Sequence, residues 1–181
     1  MFSKQFAQSI PEGPCVYFDL DIVIKSNIDD VVNYNNKDLT VIRSSWRKEH
    51  PRGFPVHHHY INSSCMTWIP SNTEWIWQYF ISDPEFFMTK YHWGMDSFLS
   101  YEFERAKKKL HTFPEMKFYS HLYGVDHLKN FEFDPPDTQE EDRGGYRPSK
   151  WVDVIKTIPI VLFNGPTTLK DYEQFTEYYS D

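Results

Sequence analysis

Apolar positions follow two rhythms along this chain. In FSKQFAQSI, Phe2, Phe6 and Ile10 recur at helical spacing and PEGP then breaks the pattern, which predicts a short helix feeding directly into a strand. The run CVYFDLDIVI, Cys15 to Ile24, is apolar at almost every position. Such a run suits the centre of a sheet covered by helices on both faces. SNIDDVV predicts a helix start, with Ser26 or Asn27 as cap and Asp29 and Asp30 in the first turn. LTVIRSSW and YINSSCMTW predict two more strands, the second interrupted by the polar step Asn62-Ser63-Ser64. TEWIWQYFISDPEFFMTKY has helical periodicity with a break near Asp83-Pro84, and MDSFLSYEFERAKKKL continues as a helix after Gly94. KFYSHLYG and IPIVLFNG predict short strands, and TLKDYEQFTEYYSD predicts a closing helix. RKEHPRGFPVHHH and FDPPDTQEEDRGGYRPS, punctuated by Pro and Gly, predict loops, the second long enough to cover a ligand. The elements add up to a single α/β domain over residues 1–181, with a mixed central sheet flanked by helices.

Composition narrows what such a domain does. A net charge of -7 argues against a general nucleic-acid binder, which needs a basic surface to displace counterions from phosphates. Cys15 and Cys65 are the only cysteines, and both fall in apolar strand-like runs, so they read as buried thiols of a reducing compartment. The stretch MFSKQFAQSIPEGP lacks the layout of a secretory signal and no window is apolar enough for a membrane span, so we expect a cytoplasmic location.

Asp19 and Asp21 are the first candidates for chemistry. Two carboxylates one residue apart on a strand share a side, repel each other and are costly to bury. A divalent cation offsets that cost, and hard oxygen donors select magnesium or manganese. The bland alternative is a pair of exposed acids at a strand end. Other conspicuous residues favour the bland side: His57, His58 and His59 as loop residues, Trp75, Trp77, Tyr79 and Phe80 as helix packing, and Lys107 to Lys109 as a solvated helix face. Ser63 and Ser64 lack the GxSxG setting of a hydrolase nucleophile.

Four stretches in order, from Cys15 to Tyr172, resemble the GT-A glycosyltransferases that use nucleotide sugars, especially the glycogenin-like and galactosyltransferase-like group. VYFDLDIVI is similar to that group's hhhLDLDhhh strand, YINSSCMTW to its "fNSGvmlw" strand, WGMDSFLS to its "GDQDfLn" segment, and IVLFNGPTTLKDY to its terminal "hhhFHGkPKPW" stretch. The resemblance implies a partial GT-A fold and metal-dependent sugar transfer from a nucleotide-sugar donor, a uridine diphosphate sugar foremost, to a glycan, protein or small-molecule acceptor. It implies manganese or magnesium held by Asp19, Asp21 and Asn164, and Asp96 as the carboxylate beside the anomeric carbon. Asn62, Ser63, Ser64 and Gly94 would line the sugar and acceptor side. Gly165 would let the backbone approach the diphosphate and Lys170 would meet phosphate.

The chain also departs from that pattern. Asn164 stands in place of the metal-ligating His, Thr168 and Leu169 in place of Lys-Pro, and Met95 in place of Gln. Only fourteen residues precede Cys15, where the group has a base-binding strand and loop. The expectation is therefore either the C-terminal part of a split enzyme, completed by a partner chain, or a non-catalytic carbohydrate-binding or scaffold remnant. A third reading is a haloacid dehalogenase-like phosphatase with Asp19 as nucleophile and Asp21 as acid and base. Against it stand Ile22 and Val23, where that class places Gly-Thr.

Overall fold

The computed structural model describes residues 1–11, 13–34, 38–44, 61–92, 94–114, 117–120, 124–125 (backbone alone) and 157–163. The histidine run His57–His59, the predicted loops, the predicted closing helix, and Asn164, Gly165 and Lys170 lie outside the described residues. The chain divides into two compact units. One comprises Met1–Phe18, Asp29–Ile42 and His57–Phe113; the other comprises Asp19–Ile28, Arg43–Val56 and Pro114–Asp181.

In the first unit α1 (Lys4–Ser9) precedes β1 (Cys15–Phe18), and α2 (Asp29–Val32) precedes β3 (Thr40–Arg43). Then come β4 (Ile61–Trp68), α3 (Pro70–Ser82), α4 (Pro84–Lys90), α5 (Met95–Arg105) and β5 (His111–Thr112). The four strands form a mixed sheet in the order β1-β4-β3-β5, with β1 antiparallel to β4 and β3 parallel to β5. The strand buried on both faces is β4, seven of whose eight residues are buried. CVYFDLDIVI was expected at the sheet centre, but its first part is the half-buried edge strand β1.

Local chemistry explains the helices. Ser3 caps α1 by accepting the Phe6 N–H at 3.1 Å, which leaves Phe2 and Phe6 to pack on Trp68 at 5.5 and 6.4 Å between ring centroids. Pro70 and Pro84 open α3 and α4, where a missing N–H costs nothing, and Asp83 caps α4 through the Phe86 N–H. Leu39, Val41, Met66, Trp68, Ile76, Leu99 and Phe103 are buried together as the core of this unit. The aromatic residues of α3 pack as expected: Trp75 meets Phe103 edge-on at 4.9 Å and Phe80 meets Phe98 at 5.9 Å.

The second unit holds β2 (Ile22–Ile24), β6 (Phe118–Ser120), β7 (Gly124–Val125) and β8 (Ile160–Leu162). They form a second mixed sheet in the order β2-β8-β6-β7, with β2 antiparallel and β6 parallel to β8. Val23, Phe118, Ile160, Val161, Leu162 and Phe163 are buried here. Among the described residues, two four-stranded sheets thus stand where a single central sheet was expected. The change of sheet falls inside CVYFDLDIVI: pairing to β4 ends at Phe18↔Cys65, and pairing to β8 begins at Ile22↔Leu162. Between them Asp19, Leu20 and Asp21 leave the ladder, and Leu20 is fully exposed. Asp19 and Asp21 stand on either side of Leu20, and the chain turns there.

Candidate functional site

Asp19 and Asp21 flank this turn, both half-buried. The Phe163 N–H donates to the Asp21 carbonyl at 3.0 Å, one step beyond the Ile22↔Leu162 pair. The end of β8, after which the sequence continues to Asn164, is therefore fastened to the backbone of Asp21. Burial pushes the Asp21 carboxyl above its usual range, its own backbone N–H opposes this, and the Asp19 carboxylate adds to the rise.

Among the described residues no group of three His, Cys, Asp or Glu side chains could hold a metal ion. A caged structural site is thereby not formed by those residues. Two neighbouring carboxylates do fit magnesium or manganese, which keep several waters and complete their shell with phosphate oxygens.

In the first unit the structure joins two segments that the sequence reading assigned to one site. Asp96, in the first turn of α5, accepts from the Ser63 N–H at 2.7 Å and from the Ser63 hydroxyl at 2.6 Å, both through Oδ1. Asn62 is buried and its Oδ1 accepts the Ser64 N–H at 3.1 Å, so its carbonyl oxygen serves its own strand. Gly94 caps α5 at φ 103 and ψ -167, a conformation open to glycine almost alone, which gives this residue a backbone role at the α4–α5 turn.

Sequence reasoning missed a buried polar cluster on α4 and α5. Glu102 is almost wholly buried and accepts from the Tyr91 hydroxyl and, at 3.2 Å, from Lys90 Nζ. Arg105 Nε stands 2.9 Å from its other oxygen, close enough for an ion pair but without hydrogen-bond alignment. Burial and the bond to Glu102 push the Tyr91 phenol upward, so it stays protonated and donating. The signal was present: Glu102 falls with Leu99 and Phe103 on the buried stripe of α5, where an unpaired acid would be costly. Two open depressions of about 520 and 310 Å³ lie on α4 and α5, and neither is lined by Asp19, Asp21, Ser63 or Asp96.

Neither cysteine is in a disulfide; Cys65 is buried, and burial raises the Cys15 thiol, so neither is set up as a nucleophile. Among the described residues no helix is long and apolar enough to cross a membrane. No family model, curated protein or solved structure matches the chain.

Proposed function

We propose that this chain is a metal-dependent glycosyltransferase domain, or the C-terminal part of one, that takes its sugar from a uridine diphosphate sugar. The observation carrying this reading is the Asp19-Leu20-Asp21 turn, which sets two half-buried carboxylates one residue apart and ties the end of β8 to Asp21 through Phe163. Asp19 and Asp21 would hold manganese or magnesium, with Asn164 as a further oxygen donor. A bound cation supplies Lewis-acid stabilisation to a departing diphosphate. Within their own units, the Phe163 N–H keeps the Asp21 backbone in place, and the Ser63 N–H and hydroxyl fix the Asp96 carboxylate. Ile22 and Val23 are paired to Leu162 and Val161 directly after the acids, which favours this reading over a phosphatase with a mobile Gly-Thr step.

Titration calorimetry with uridine diphosphate tests it. Binding is expected only with manganese or magnesium present, and Asp21→Asn is expected to abolish it with the fold intact by circular dichroism. Absence of binding to every common nucleoside diphosphate and nucleotide sugar in manganese would overturn the donor assignment.

A further inference from the structure

The strongest anomaly outside the acid pair is Lys107. It is the one non-glycine residue with positive φ among the described residues, at 53°. The Lys107 N–H donates to the Glu104 carbonyl at 3.0 Å and the Lys108 N–H to the Phe103 carbonyl at 2.9 Å. These two bonds make a Schellman motif, whose left-handed position is usually glycine because a Cβ is strained there. Lysines after a helix end complement its dipole, but Lys108 and Lys109 would do so equally well with glycine at 107. Helix termination therefore explains the turn and not the lysine.

The turn carries Arg105, Lys107, Lys108 and Lys109 to the surface, all exposed, in a chain whose net charge is -7. The contacts run on from there. Lys108 lies over Trp75 at 5.0 Å and Arg105 over Tyr79 at 4.7 Å. Arg105 and Lys90 share Glu102, and Lys90 lies over Phe86 at 5.5 Å. Glu102 beneath and exposed Glu104 beside Arg105 offset part of this charge, and Asp83 and Glu85 lie at the far end of α4. The lysines 107–109 dominate the other end.

We propose that this basic end of α5, extended through Lys90 to Phe86, docks the chain on an anionic phospholipid surface. A cluster of four or more Lys and Arg residues is the composition that anionic headgroups attract, and among the described residues the cationic side chains of Lys90, Arg105 and Lys107 to Lys109 gather on this face. Phe86 is half-exposed beside Lys90 and supplies an apolar side chain for the headgroup boundary. Single-stranded nucleic acid fits less well, because Trp75, Tyr79 and Tyr91 are packed or covered by cations instead of being presented for base stacking. The inference is independent of glycosyl transfer.

Co-sedimentation of the full chain with phosphatidylcholine vesicles, with and without phosphatidylserine, tests it without metal or nucleotide. Binding is expected only to the serine-containing vesicles and is lost at high salt. Lys107→Gly relieves the strained turn, so its thermal midpoint should rise while its partition onto those vesicles falls about fivefold, and Lys107→Arg should retain binding. Equal binding to both vesicles, or undiminished binding by Lys107→Gly, would overturn the proposal. So would binding to polyuridylate that Lys107→Gly weakens while the vesicles leave the chain in the supernatant.

Discussion

One oxygen of Asp96 accepts both the backbone N–H and the hydroxyl of Ser63, at 2.7 and 2.6 Å. The pair fastens the first turn of α5 to β4, the buried strand of its sheet. Hydrogen bonds to a charged acceptor contribute about 1.5–3 kcal/mol each, so Ser63→Ala, which keeps only the N–H bond, should lower the unfolding free energy by that amount in a urea titration. Asp96→Asn keeps an Oδ1 acceptor and should change stability much less. Loss of sugar transfer in Asp96→Asn without a matching loss of stability would assign the missing charge to chemistry.

Gly94 separates α4 from α5 at a φ of 103°. An alanine Cβ placed there meets no atom within 4 Å, so the cost of Gly94→Ala is conformational and not steric crowding by neighbours. Residues held in this region cost about 1–3 kcal/mol. The midpoint of thermal unfolding should fall accordingly, and any effect on ligand binding should track that fall. A binding defect at full stability would instead give Gly94 the direct substrate role that the resemblance assigns to it.

How much of this was legible in the sequence depends on the length scale of the cause. The helix over Pro84–Lys90 and its break from α3 follow from Asp83 and Pro84 themselves, which act within one turn. The strand Ile61–Trp68 and the strand Ile160–Leu162 follow from apolar runs. The division of CVYFDLDIVI between two sheets was not legible, because strand partners are chosen by distant segments: Cys65 for Phe18, Leu162 for Ile22. At the candidate site, the bond between Ser63 and Asp96 joins two segments far apart in sequence, which local pattern alone does not announce. The Glu102 cluster escaped notice because Lys90 and Tyr91 are remote from it in sequence and only Arg105 is a helical neighbour.

Glu102 makes a specific demand on Tyr91. A buried carboxylate that loses a donor bears the desolvation cost of an unmet acceptor, about 1–3 kcal/mol or more for a charged group. Tyr91→Phe preserves the ring contacts with Phe87 and Phe98 and removes only the hydroxyl. It should therefore lower unfolding free energy by about that amount, and Tyr91→Phe combined with Glu102→Gln should cost less than the sum of the two single changes. Additive losses would mean that the hydroxyl and the carboxylate do not depend on each other.

Asp21 gives the acid pair a signature in stability as well as in binding. Its folded-state pKa is raised, by burial first and by Asp19 as well, so folding favours the protonated acid. The sign follows: this group's contribution is fully present below the unfolded value near 3.8 and is lost as pH rises through the raised folded value. Asp21→Asn, permanently neutral, should thus be more stable than the parent chain near neutral pH, and the gap should close towards the acid end of that window. Manganese compensates the ionised pair, so it should raise the thermal midpoint of the parent chain near neutral pH and leave Asp21→Asn unmoved. Melting curves with and without the ion, at both ends of the window, read both effects. A parent chain indifferent to manganese, with an Asp21→Asn variant no more stable than the parent at neutral pH, would remove the electrostatic basis for a cation at this turn.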